Sequence, residues 1–549
     1  IRSTEQQSRN FRIHEDFLNH IDILPENVHI PDGTIPEERI SEYCDSYERA
    51  ASRIDLMIIG VGEDGQIGFN EPGSYSRSRT RLVQLTYNTR KVQSGAFFGL
   101  ENTPKMAITM GIETIMRADR IILMAWGENK TQIVQKVVEG EITGQVPASY
   151  LQAHPNIEVV IDENAAQMLT REQTPWLVGP CDWTPKFVRK AVVWLCGVVH
   201  KPILKLTYKD YIENSLGELL EQGRSYDQIN IDVFNDLQHT ITGWPGGKPN
   251  ADDSTRPVAS KPFPKRVVIF SPHPDDDVIS MGGTLKRLVD QKHDVHVAYE
   301  TSGNIAVGDE DMMRYFLMMD KIAPMFGFGT DDYKELSKKV RTFVDGKKAG
   351  DVDIPEIREI KTMIRQAEAT IACNYIGVKP QNIHFLRLPF YETGTIKKGD
   401  LSEADIDRVK ALLEEVKPHQ IFVAGDLADP HGTHRVCTDA VLAALYELRN
   451  EDWMRDCRIW MYRGAWAEWE IDHIEMAVPI SPEELRFKRN SILKHQSQME
   501  NAPFLGDDDR LFWQRAEERN RATAQLYENL GLASYEAMEA FVEYHPIKN

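Results

Sequence analysis

The stretch RVVIFSPHPDDDVIS, residues 266–280, joins an apolar run to one histidine and three consecutive aspartates. A short run such as RVVIF, ended by turn residues, reads as a buried strand of a parallel sheet. The acidic cluster then falls at the carboxyl end of that strand, where open α/β sheets place their ligand crevices. His273 and Asp276 lie close enough in a tight turn to reach one cation, and an imidazole with a carboxylate suits zinc or another divalent first-row metal. The competing reading is a helix start, since aspartates there cap free N–H groups and complement the helix dipole. A second cluster decides between them. The predicted strand IFVAG (421–425) leads into DLADPHGTHRVCTDA (426–440), which carries His431 and His434, one a candidate ligand and the other a candidate catalytic group. Two histidine-bearing loops in equivalent places behind strands favour a shared metal site.

Working outward, the alternation of strands and helices continues through a helix near 280–291, DVHVAYE (294–300), NIHFLRL (382–388) and HQIFVAG (419–425). An earlier set has the same rhythm: IDLMIIGVG (54–62), KMAITMG (105–111), RIILMAWG (120–127) and IEVVID (157–162). Between them, NKTQIVQKVVEG (129–140) places Ile133, Val134, Val137 and Val138 at helical spacing. Such alternation predicts an α/β protein of two doubly wound, mainly parallel-sheet, Rossmann-like domains. The expected divisions are a first domain over 1–170, a mixed connecting segment over 171–242, a Pro/Gly-rich linker over 243–265 and a second domain over 266–549. Within the last, the charged, Met-rich segment 305–355 reads as a helical insertion, either a lid or a surface elaboration. A long amphipathic helix is expected within 507–531.

Composition bounds the partners. The net charge of −20 without a basic stripe argues against nucleic acid. The apolar window AVVWLCGVV (191–199) is far short of the ~20 residues that span a bilayer, so no membrane segment is expected. Six scattered cysteines without a C-x-x-C pair point to a reduced, cytoplasmic chain. The start, IRSTEQQSRN, has no signal-peptide pattern and no initiator methionine, so residues preceding it are expected to be missing.

The residues resemble two known families. Pro272-His273-Pro274-Asp275-Asp276 is similar to the signature of the PIG-L (LmbE-like) deacetylases, and His431-Gly-Thr-His434 to their H-x-x-H motif. Arg365-Gln-Ala-Glu368 resembles their R-x-x-E helix, and Lys488 with His495-Gln-Ser-Gln498 their K…H-x-S-Q pattern. This resemblance spans about 264–500. It implies a zinc-dependent hydrolase that removes an N-acetyl group from an N-acetylglucosamine-type sugar, with His273, Asp276 and His434 as metal ligands. It further implies Asp275 as general base and His431 as stabiliser of the tetrahedral intermediate; Arg365 is a candidate for gripping the sugar, with a surface helix charge as the alternative reading. Asp277 stands where that family most often has glutamate.

GVGEDGQIGFNEPGS (60–74) is similar to the signature of the glucosamine-6-phosphate deaminase family (glucosamine/galactosamine-6-phosphate isomerases), with support from SRTRLVQLTYNTR (78–90), WGENK (126–130) and ASYLQAHP (148–155). This resemblance covers roughly 10–170. Asp64, Gln66 and Glu71 fall in the deaminase-like site and Lys130 matches a phosphate-binding lysine. The family's ring-opening histidine is replaced by Gln66, and an amide cannot exchange protons near neutral pH. Gly95-Ala96 stand where the family has an arginine before its Phe-Phe pair. The resemblance also implies a homo-oligomer. The resulting expectation is an amino-sugar deacetylase joined to a degenerate deaminase-like domain. An active glucosamine-6-phosphate deaminase, alone or bifunctional, and a non-catalytic sugar-phosphate scaffold are the alternatives.

Overall fold

The computed structural model describes residues 1–5, 7–97, 100–348, 351–395, 398–425, 432–464, 468–499 and 510–545. The chain forms two compact units, Ile1–Gly179 and Pro180–Asn549.

In the first unit β1 (Met57–Gly60), β4 (Ile121–Ala125) and β5 (Ile157–Ile161) form a parallel sheet in the order β1-β4-β5. The intervening β2 (Arg81–Gln84) and β3 (Met106–Thr109) pair antiparallel with each other in a separate two-stranded sheet. KMAITMG is therefore a strand, as predicted, but it does not join the parallel sheet. Its alternation differs from that of a fully covered strand, since Met106 at its start is exposed and only Thr109 at its end is buried. The core gathers Ile121, Leu123 and Ala125 of β4 with Ile133, Val134 and Val137 of the helix Thr131–Val138, the face marked by the helical spacing.

The second unit holds a seven-stranded sheet. Its strands are β6 (Arg266–Ser271), β7 (Asp294–Tyr299), β8 (Ile383–Phe385), β9 (Gln420–Ala424), β10 (Arg458–Tyr462), β11 (Met476–Ile480) and β12 (Ala537–Tyr544), in the order β11-β12-β10-β9-β6-β7-β8. Strands β10, β9, β6, β7 and β8 run parallel, while β12 is antiparallel to both its neighbours. Both faces are covered, which is why RVVIF is apolar without alternation. Val267 and Ile269 pack on one side beneath the helices Asp276–Asp290, Pro355–Ile376 and Pro482–Ile492. Val268 and Phe270 pack on the other beneath Glu403–Val416 and Thr433–Glu447. Each such fully buried side chain contributes about 1.5–3 kcal/mol.

The Pro/Gly-rich stretch 243–265 does not divide the units; it is folded into the second. Gln420 Nε2 donates to the Pro245 carbonyl at 2.9 Å, and Lys265 Nζ donates to the carbonyls of Ala259 and Pro262 at 2.8 and 3.0 Å. At Gly246 a Cβ would stand 2.1 Å from Nε2 of His293, so glycine permits a close approach there. Composition signals a lack of regular structure, which is not the same as a lack of contacts. Segment 180–242 belongs to the same unit: Arg189 Nη1 donates to the Ile474 carbonyl at 2.8 Å, and Thr240 bonds the Tyr527 hydroxyl at 2.8 Å. The insertion contains the helices Asp309–Met325 and Asp331–Gly346, which share a small core of Met312, Phe316 and Val340 with Ile357 and Ile364 of Pro355–Ile376.

Candidate metal centre

The order of strands in the sheet places β6 between β7 and β9. The chain proceeds from β6 through β7 to β8 on one side and only later supplies β9 and β10 on the other. Such a switch of direction opens a crevice at the carboxyl ends of the strands. His273 and Asp276 come from the loop after β6, and His434 from the first turn of Thr433–Glu447 after β9.

The local turn is held by its own side chains. Asp276 Oδ2 accepts the backbone N–H of His273 at 2.8 Å, and Ser271 Oγ donates to the His273 carbonyl at 2.6 Å. The helix Asp276–Asp290 kinks at Met281, and Glu539 accepts the backbone N–H groups of Gly283 and Thr284 at 3.1 and 2.7 Å. Lys488, fully buried, donates to Glu539 at 2.6 Å and to Asn520 Oδ1 at 2.8 Å. The matched K…H-x-S-Q lysine thus fixes the helix that presents the acidic cluster.

Three donor atoms converge. Nδ1 of His273 stands 3.2 Å from Oδ2 of Asp276, Nε2 of His434 stands 3.1 Å from the same oxygen, and the two ring nitrogens are 3.2 Å apart. Two facing imidazole nitrogens accommodate at most one proton between them. A cation bound by both, with bonds of about 2.0–2.2 Å, satisfies the pair and the carboxylate together. The donor set of two imidazoles and one carboxylate, leaving a position open, fits Zn²⁺ or a similar ion. Burial disfavours the charged form of Asp276, yet His434 and His273 overcome it and hold the carboxyl well below its ordinary range. Glu470, Asp472 and His473 form another compact group, but it is partly exposed and Lys190 already lies 3.5 Å from Glu470.

Asp275 does not join the three donors. It is buried and faces Arg365, whose Nη2 lies 3.2 Å from Asp275 Oδ1. Arg365 is itself 1% exposed, so it is no surface helix charge; its Nε and Nη1 lack hydrogen-bond partners. The R-x-x-E and H-x-S-Q segments interlock: Glu368 accepts the backbone N–H and the hydroxyl of Ser497 at 2.7 and 2.8 Å. This lock brings His495 into the same buried region, fully enclosed and with neither ring nitrogen hydrogen-bonded. Burial lowers its pKa to about 4, so it is neutral near pH 7. Asp277 faces away into the core, accepting from Ser271 Oγ at 3.3 Å and from the Tyr299 hydroxyl at 3.2 Å. Burial, then the Asp275 charge, raises it to about 7. His431 lies outside the described residues.

Two further residues of the site were not singled out from the sequence. Glu300, directly after β7, is buried with one oxygen lacking a hydrogen-bond partner, and burial raises it to about 8. Its position behind a strand end is the same signal that marked the aspartates. Tyr391 packs edge-on to His273, with ring centroids 6.0 Å apart. No local pattern marks it.

In the first unit Asp64, Gln66 and Glu71 share the loop after β1. Gln66 Oε1 accepts the Asp64 backbone N–H at 3.0 Å, and Nε2 donates to Thr89 Oγ1 at 3.4 Å. Asp64 accepts from Asn88 Nδ2 at 2.7 Å; Glu71 accepts the Thr86 N–H at 2.7 Å, with its other oxygen buried and unpartnered. Lys130 is half-buried, and that burial lowers its pKa against the opposing charges of Glu63 and Asp64. A Cβ on Gly62 would stand 2.2 Å from Gln66 Cδ, so the loop closes around the glutamine.

Fold and site define a two-unit α/β protein whose second unit carries a His-Asp-His group at the carboxyl edge of a mainly parallel sheet. Comparison with known proteins sharpens this. Residues 268–445 match the GlcNAc-PI de-N-acetylase (PIG-L) family, and residues 1–160 match the family of glucosamine-6-phosphate isomerases/6-phosphogluconolactonase. A glucosamine-6-phosphate deaminase-like protein of Bacteroides thetaiotaomicron is 60% identical over 540 residues, which are 97% of this chain and 81% of that protein. The chain belongs to that deaminase-like family, with a glucosamine-6-phosphate isomerase-type domain ahead of a PIG-L domain. A glucosamine-6-phosphate deaminase of Pseudarthrobacter chlorophenolicus is 46% identical over 167 residues, 30% of this chain and 63% of the enzyme. The chain thus spans a little under two thirds of that deaminase's length. Among solved structures, N,N'-diacetylchitobiose deacetylase from Pyrococcus horikoshii is similar at 19% identity, a TM-score of 0.32 and coverage of 51% of this chain and 84% of that one. These memberships place the chain in amino-sugar metabolism.

Proposed function

We propose that the second unit is a metal-dependent N-deacetylase acting on an N-acetylglucosamine-type sugar, and that the deaminase-like domain does not turn over substrate. The convergence of His273, Asp276 and His434 beside a carboxylate that is not one of them carries the first part. A divalent ion such as Zn²⁺ bound there supplies Lewis acidity and lowers the pKa of water toward about 7. Asp275 takes a proton from the attacking water and returns it to the leaving amine, as general base and then general acid. Arg365, fixed by burial and directed at Asp275 Oδ1, orients that carboxylate. Asp276 accepts the His273 N–H and sets the angle of the turn, so that both imidazoles meet at one point. Family resemblance assigns His431 to stabilising the oxyanion.

The second part rests on Gln66. Its amide is engaged at both ends and has no titratable proton, so it fills the loop without serving as acid or base. Acetate and ammonia release, followed separately with metal-loaded protein, tests both parts. Acetate from N-acetylglucosamine or its 6-phosphate, with no ammonia from glucosamine 6-phosphate, is expected. Ammonia release in the absence of acetate release would reverse the assignment.

A further inference from the structure

The turn that follows β7 carries a buried carboxyl to which the deacetylase reading gives no task. Glu300 is 1% exposed, and its Oε1 has no hydrogen-bond partner. Its backbone is fixed on both sides: the N–H donates to the Ser271 carbonyl at 2.9 Å, and the carbonyl accepts the Leu388 N–H at 2.8 Å. The ladder therefore runs one residue past β7, and the alternation of side chains runs with it. Ala298 packs in the core beneath Glu403–Val416 and Thr433–Glu447, whereas Tyr299 packs on the opposite face and meets Asp277. Glu300 follows Ala298 to the face from which Thr433–Glu447 presents His434. Electrostatics agrees with that placement, since the charges acting on the Glu300 carboxyl are those of His434 and Asp276. Thr301 closes the same corner, its N–H and Oγ1 donating to the Pro272 carbonyl at 3.1 and 2.7 Å, next to His273.

An enclosed carboxyl requires a donor or a cation. The site's own cation is turned elsewhere: Arg365 Nη2 lies 3.2 Å from Asp275 Oδ1. The hydroxyl of Ser302, close by in sequence, is itself buried without a partner. The metal donor set has the complementary deficit. Two neutral imidazoles and a single carboxylate offset only half the charge of a divalent ion, and a net charge enclosed in protein is costly. Asp275 does not make up the difference, because its charge faces Arg365. We propose that Glu300 is the outer carboxylate of the His273-Asp276-His434 centre, supplying the second negative charge that a divalent ion held there requires. By this assignment it is a positioning residue outside the donor set. Burial raises its pKa to about 8, and the field of a nearby dication reverses such a shift. The proposal rests on the metal-dependent reading and deepens it, committing the centre to a dication rather than a singly charged ion.

Competition with a chromophoric chelator measures the Zn²⁺ affinity of the full chain as wild type, Glu300→Gln and Glu300→Asp. Glutamine keeps the shape and the capacity for hydrogen bonds and removes the charge, so it isolates the proposed role. Glu300→Gln is expected to bind about one ion per chain roughly 10- to 100-fold more weakly than wild type, the usual cost of losing a group that supports metal ligands. Glu300→Asp, which restores the charge, is expected to recover part of that loss. Unfolding of the chelator-treated proteins supplies the control. Without metal, Glu300→Gln should unfold at the wild-type midpoint or above it, since no buried acid remains to be accommodated. A carboxyl that only maintains packing gives the opposite pattern, a lowered metal-free midpoint with unchanged Zn²⁺ affinity. Wild-type affinity in Glu300→Gln overturns the proposal and leaves the metal centre standing. Absence of Zn²⁺ binding in the wild type itself overturns both, which separates failure of the metal-dependent reading from failure of the Glu300 assignment alone.

Discussion

At the residue scale, adjacent aspartates divide three jobs by the direction each side chain takes. Asp276 turns toward the two imidazoles, Asp275 toward Arg365, and Asp277 into the core beneath Tyr299. The proposed division between ligand and base predicts a split between two variants. His434→Ala removes one of three donors and is expected to lower bound metal, measured by elemental analysis, to background. Asp275→Asn is expected to retain about one metal per chain and to lose about 10²- to 10⁴-fold in deacetylation, the span of a general base. Equal metal content in both variants with equal residual activity would remove the distinction. What the sequence could not supply at this scale was direction. Arg365 has the spacing of any helical arginine, and only its enclosure against Asp275 separates it from a surface charge.

At the element scale, buried polar contacts hold the loops of the candidate centre in place. Lys488 and Glu539 are 51 positions apart and both almost wholly buried, so Lys488→Met leaves a carboxylate enclosed without its cation. A loss of about 3–5 kcal/mol in urea unfolding is expected, with part recovered in Lys488→Met/Glu539→Gln. His293 provides a pH test away from the crevice. Its Nδ1 accepts the Lys265 backbone N–H at 3.0 Å, and burial, reinforced by the Lys265 charge, lowers its pKa from 6.5 to about 4. Between those values the unfolded chain binds the extra proton, so this contribution to stability is complete above about 6.5 and is lost as pH falls toward 4. Unfolding midpoints across that window should fall less steeply in His293→Asn than in the parent; identical slopes would refute the assignment.

The same scale shows how far the sequence was legible. Strands β6 and β9 announce themselves through continuous apolar runs of four residues, Val267–Phe270 and Ile421–Ala424, and β7 and β8 through short apolar stretches interrupted by one histidine each. Strands β10, β11 and β12 and the antiparallel β2–β3 pair were not anticipated, since their places are fixed by partners far along the chain. Arg458–Tyr462 pairs with Gln420–Ala424, and Ala537–Tyr544 inserts between Met476–Ile480 and Arg458–Tyr462. The Glu368–Ser497 lock is of the same kind, joining residues 129 apart.

For the whole molecule, the division at Gly179/Pro180 sets the expected response to metal. Ligands of the candidate centre all lie in the second unit, so an ion that binds the folded form stabilises that unit by about 4 kcal/mol at a thousandfold excess over Kd. Calorimetry of the full chain is expected to resolve a transition that rises with Zn²⁺ and falls with chelator, beside one that does neither. A uniform shift of all unfolding would contradict this. Among the described residues no helix is long and apolar enough to cross a membrane. The most direct measurement is acetate release from N-acetylglucosamine 6-phosphate before chelation, after chelation and after return of one equivalent of Zn²⁺. The account predicts activity lost with the metal and recovered with it; full activity in the chelated, metal-free protein would contradict it.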